Sequence, residues 1–157
     1  MTPAQFGYFT AAPAIGYFLG NAVTGMAAAR IGMNRIIVWG ASVTVLGIGA
    51  AILLTLGGFG GKYTLFGFMT FVGLGNGMTI PSATSGMLSV RPHLAGTASG
   101  LGGAIQIGGG AALSAIPGFL LTPGGTELPL LVLMWATGVF SLISILLVIL
   151  RERQIRA

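Results

Sequence analysis

Gln106 poses the chemical question of this sequence most sharply. Its near helical neighbours, Gly102, Gly103, Gly109 and Gly110, are all glycine, so on a helix its amide projects from a hollow bare of side chains. Either a neighbouring helix fills that hollow and bonds the amide, or water and solute do. Asn21, with Tyr17, Phe18, Thr24 and Gly25 as helical neighbours, carries the same alternative: an interhelical hydrogen bond, or a cavity-lining amide beside two aromatic rings. Asn76 lies with Thr79 beside a face on which Phe71, Gly75, Met78, Ser82, Ser85 and Ser89 recur at helical spacing, although serines also bond back to their own helix. The candidate cavity-lining set is Tyr17, Asn21, Phe71, Asn76, Met78 and Gln106. This is hydrogen-bonding and apolar chemistry, suited to binding. The sequence holds two acidic residues, one histidine and no cysteine, which argues against an enzyme, a metal site, a cofactor or a disulfide.

The elements that position these residues follow from composition. Hydrophobic residues make up 54% of the 157 and charged residues 6%, with a mean hydropathy of +0.95. Soluble domains carry about 25% charged residues, so this reads as a membrane protein of the all-α class. Five uncharged segments are expected to span, at 6–29, 36–59, 63–90, 95–121 and 128–150, inside a transmembrane domain covering 5–151 and followed by a basic tail, 152–157. At about 1.5 Å per residue each can cross roughly 30 Å of hydrocarbon. In water the glycine of 73–110 would oppose helix, at about 1 kcal/mol per interior Gly. In lipid the backbone must satisfy itself, so helix is enforced and glycine becomes a packing device. Gly73, Gly77 and Pro81 in the third span, and Gly96, Gly100 and Gly103 in the fourth, are therefore expected to form a closely packed heart. Pro13, Gly16 and Gly20 should do the same in the first. The second span carries a small-residue stripe at Gly40, Thr44, Gly47 and Ala51, and the fifth a stripe at Thr137, Ser141 and Ser144. Both are expected to be peripheral and to face lipid, while spans one, three and four line a cavity.

Charge sets the orientation. Arg30 and Arg35 fall between the first two spans, Arg91 between the third and fourth, and Arg151, Arg153 and Arg156 after the fifth. Five spans place all six on one face, leaving Lys62 on the other. By the positive-inside rule that face is cytoplasmic, with the N-terminus outside and the C-terminus inside. The turns 57–61 and 123–125 and Glu127 should lie outside. The net charge of +5 thus marks topology and not nucleic-acid binding. His93, of the type whose charge changes near physiological pH, falls in a cytoplasmic turn and reads as structural. An external N-terminus without a basic leader suggests that a further span normally precedes Met1.

Three stretches resemble a known family. Gly25-Met26-Ala27-Ala28-Ala29-Arg30-Ile31-Gly32-Met33-Asn34-Arg35 resembles the cytoplasmic loop signature of the major facilitator superfamily: Gly25, Arg30, Gly32 and Arg35 match, and Ala29 replaces the acidic residue. Arg91-Pro92-His93-Leu94-Ala95-Gly96-Thr97-Ala98-Ser99-Gly100 looks like the loop before the eleventh helix of Bcr/CflA-type multidrug efflux antiporters, and Met1-Thr2-Pro3-Ala4-Gln5-Phe6-Gly7-Tyr8 is similar to that family's segment entering its eighth helix. The resemblance covers nearly the whole chain and implies family helices eight to twelve, a bacterial inner-membrane location, and proton-driven export of small amphipathic solutes. It also implies a partner, the first domain and seventh helix, which would hold any proton-carrying carboxylates, since no Asp, Glu, Lys or Arg lies within a span here. Gly25, Arg30, Gly32, Arg35, Arg91 and His93 are the candidate gating and topology residues. Two rival readings remain: a facilitator of another solute (sugar, metabolite or siderophore), and a non-transporting remnant or interaction protein.

Overall fold

Glycine-rich contacts on two faces of one helix hold the molecule together. The structure, a computed structural model, describes residues 3–120 and 127–156, and over these it is all-α. Five long helices run in order: α1 (Pro3–Ile31), α2 (Met33–Leu54), α3 (Lys62–Val90), α4 (Ala95–Leu120) and α5 (Leu128–Arg156). A wide turn, Thr55–Phe59, extends α2, and a short 3-10 turn, Pro92–Leu94, leads into α4. The expected turn at 123–125 and residue 121 lie outside the described residues. The basic tail does not leave the bundle as a separate segment. It continues α5 to Arg156, where arginines oppose the negative end of the helix dipole.

Two of the helices, Met33–Phe59 and Leu128–Ile155, are long and apolar enough to cross a membrane, with mean hydropathies of 2.2 and 2.5. In α1, α3 and α4 the glycine, serine, threonine and proline that allow close packing also dilute hydropathy.

The centre is α3, which lies between α1 and α2; α2 in turn carries α5. Residues two apart on a helix differ by about 200°, so Gly73 and Gly77 face one way and Gly75 the other. A methyl group on Gly73 would fall on the Pro13 carbonyl of α1, and one on Gly77 would fall on the Tyr17 carbonyl. Across the same seam, Gly16 meets the Thr70 carbonyl and Gly20 the Leu74 carbonyl. On the opposite face Gly75 packs on Thr44 and Gly40 of α2. A methyl on Gly40 would come within 2.6 Å of Thr79 Oγ1 and 2.7 Å of the Gly75 carbonyl oxygen. Gly47 receives the Phe71 ring in the same way. Backbone thus touches backbone on both sides of α3, the arrangement that van der Waals packing favours when lipid supplies no hydrophobic drive.

Pro13 and Pro81 sit inside unbroken helices. Pro81 has no N–H to offer the Gly77 carbonyl one turn back. Thr24 of α1 supplies the missing donor: its buried hydroxyl donates to the Gly77 carbonyl at 3.3 Å and lies 3.4 Å from that of Met78.

Two arrangements bear on expectation. First, α2 packs its small-residue stripe, Gly40, Thr44, Gly47 and Ala51, on α3 with Ile36, Ile48 and Ala51 buried, while Trp39, Leu46 and Leu53 are exposed on the same helix. Second, α4 is not part of the packed heart. Gly96, Gly100, Gly103 and Gly108 to Gly110 have open space where a side chain would sit, whereas Gly102 meets the Met87 thioether. A glycine ridge packs only where an opposing backbone reaches it, and α3 meets this helix through the Met87 side chain at Gly102.

Candidate functional site

The six candidate cavity residues do not converge. On α1, Tyr17 is exposed, and Asn21 donates its Nδ2–H to the Tyr17 carbonyl of its own helix at 2.9 Å. One amide hydrogen of Asn21 is therefore engaged within its own helix. On α3, Phe71 stacks on Phe68 with ring centroids 5.8 Å apart and covers Gly47 of α2. Met78 is 4% exposed and packs beside Gly40, so it serves the α2–α3 contact. Gln106 stands exposed on α4 between Ile105 and Ile107 and has no bonding partner among the described residues.

Asn76 lines a cavity. A groove of about 320 Å³ between α2, α3 and α5 is lined by Asn76 and Thr79, Thr44 of α2, and Thr137 and Ser141 of α5, with Ile48, Val72 and Met134 supplying apolar wall. Thr137 donates back to the Met134 carbonyl at 2.8 Å, as helical threonines do. The site offers neutral hydroxyl and amide groups and no charge, a chemistry for water or a small hydrogen-bonding solute. All five polar residues were visible in the sequence, Thr44, Thr137 and Ser141 on small-residue stripes of two helices and Asn76 and Thr79 beside a stripe on the third. What the sequence lacked was the rotation that turns them toward one another. Ser82, on the same helix, is 1% exposed with its hydroxyl unbonded.

The turns carrying the gating candidates are built by short-range rules. Gly32 takes φ +92°, a conformation that side chains resist, and so lets α1 stop at Ile31 and α2 start at Met33 with one residue between them. Arg30 lies in the last turn of α1. Gly25 has open space around it. Arg91, Pro92 and His93 are exposed in the turn between α3 and α4.

At this same end lies an opening of about 1160 Å³. Residues 31–35, the end of α3 at Gly86, Met87, Ser89 and Val90, and the end of α5 from Ile145 to Ile155 line it. Asn34 bridges the elements, donating to Glu152 Oε2 at 2.7 Å. The structure thus gathers the α1–α2 turn, the α3 end and the α5 arginines around one opening.

No family model, curated protein or solved structure matches the chain.

Proposed function

We propose that the chain crosses a membrane five times and forms part of a secondary transporter of the major facilitator type, the drug/proton antiporter class that its two turns resemble. The carrying observation is the common opening shared by residues 31–35, the end of α3 and the arginine-bearing end of α5. That convergence suits the cytoplasmic face predicted by the positive-inside rule. A lipid surround is supported by the outward apolar side chains: Phe18, Leu46, Leu53 and Phe140 are each more than 70% exposed, which water would penalise. In this reading α3, clamped between α1 and α2, is the rigid element. The glycine face of α4 and Gln106 meet solute or a second helical bundle, as alternating access around a central site requires. Amphipathic compounds fit a surface that sets one amide among Leu101, Ile105 and Ile107.

The test is ethidium efflux from energised cells. The chain is expressed alone, and together with a separate polypeptide holding the first seven helices of a Bcr/CflA-type exporter. The pair should export dye and stop when a protonophore collapses the gradient; the chain alone should not export. Efflux by the chain alone, or none from a pair that co-purifies, would overturn the proposal.

A further inference from the structure

We propose that the opening at the arginine end of the bundle is a binding site for an anionic phospholipid, a proposal that rests on the membrane reading above. Three guanidinium groups line it, Arg35 from α2 and Arg151 and Arg153 from α5. None has an acidic partner among the described residues. The one carboxylate present, Glu152, is already engaged by Asn34 at 2.7 Å. The site therefore holds net positive charge facing an opening of about 1160 Å³, and its occupant must be an anion. The uncapped start of α2, with no acidic residue in its first turn, adds to the same potential.

The walls show that the anion is part of an amphiphile. Below the arginines the lining turns apolar, with Ile37 from α2, Met87 from α3, and Ile145, Val148 and Ile149 from α5. Ile145 and Arg151 are six residues apart on one helix, about 9 Å along its axis, so charge and hydrocarbon occupy successive levels. Ile37 and Ile145 are nearly buried, whereas Val148 is half exposed, leaving the apolar wall open sideways. A phosphate diester at the arginine level with an acyl chain along α5 satisfies both levels. Free phosphate satisfies only one. Basic pockets between helices at the cytoplasmic surface recognise anionic headgroups in this manner.

Native mass spectrometry of the detergent-solubilised chain, titrated with phosphatidylglycerol or phosphatidylcholine of the same acyl chains, tests the site. Phosphatidylglycerol should be retained at least about ten-fold more tightly, a difference of about 1.4 kcal/mol. The combined Arg35→Gln, Arg151→Gln and Arg153→Gln variant should lose that preference, and Arg91→Gln, outside the opening, should keep it. Equal retention of both lipids by the unaltered chain would overturn the proposal without any variant. Displacement of the lipid by millimolar inorganic phosphate would reassign the site to free phosphate and also overturn it. Carbonate extraction of cell membranes separates the two levels of the argument. A chain released by carbonate refutes the membrane reading, and one that stays but prefers neither lipid refutes only this site.

Discussion

Replacing Gly73 by alanine should separate α1 from α3. The added methyl would fall on the Pro13 carbonyl oxygen, with the Pro13 carbonyl carbon at 2.9 Å and the Tyr17 nitrogen at 3.0 Å. Comfortable contact needs about 3.5–4.0 Å, and all three obstacles are backbone, so no rotamer change relieves them. The helices must move apart by roughly 1 Å, which also loosens Gly16, Gly20 and Gly77 and stretches the Thr24 bond. Overpacking of this kind costs about 1–3 kcal/mol, and losing an interhelical bond about 0.6 kcal/mol more. Alanine's helix propensity returns at most about 1 kcal/mol. The same substitution at Gly103, with nothing within 4 Å, incurs none of the cost. Alanine's propensity gain is common to both variants, so unfolding by SDS titration in mixed micelles, followed by circular dichroism, should rank Gly73→Ala below Gly103→Ala by about 1.5–3.5 kcal/mol. Equal stabilities would refute the claim that the α1–α3 seam is set by glycine-to-backbone contact.

Thr24→Val removes the donor that replaces Pro81's missing N–H and should lower stability by about 1 kcal/mol in the same titration, while Thr24→Ser keeps the hydroxyl and most of the stability. Ser82→Ala removes a buried hydroxyl that has no partner, so it should leave stability unchanged or raise it by about 1 kcal/mol; a clear loss would mean the hydroxyl is bonded. Gln106→Ala should change stability by less than about 0.5 kcal/mol, and Gln106→Cys in the paired transporter should react with a water-soluble maleimide. Complete protection, with and without substrate, would place the amide inside a helix contact.

Much of the helical framework was legible because its rules are local. The apolar segments became helices with ends close to those expected, and Gly32 and Pro92 ended up in turns. Packing partners were harder, since a glycine reports that something comes close but not what. Gly73 and Gly103 look alike in sequence; one is pressed by backbone and the other faces open space. Thr24 had a readable signal in Gly77, four residues before Pro81, whose carbonyl that proline must leave unbonded. Asn21 had none. Its amide can reach its own helix or a neighbour's with equal ease, and only the rotamer decides. The groove at Asn76 needs three helices in register, and no single stripe encodes that.

The most direct measurement of the account is topology, and the absence of cysteine provides a clean background. Phe59→Cys, His93→Cys and Gln154→Cys, all at exposed positions, would be probed one at a time with a membrane-impermeant maleimide. Five crossings with the arginines inside predict labelling of position 59 in intact cells, and of positions 93 and 154 only after permeabilisation. Labelling of 93 and 154 from opposite sides, or of 59 and 93 from the same side, would contradict it.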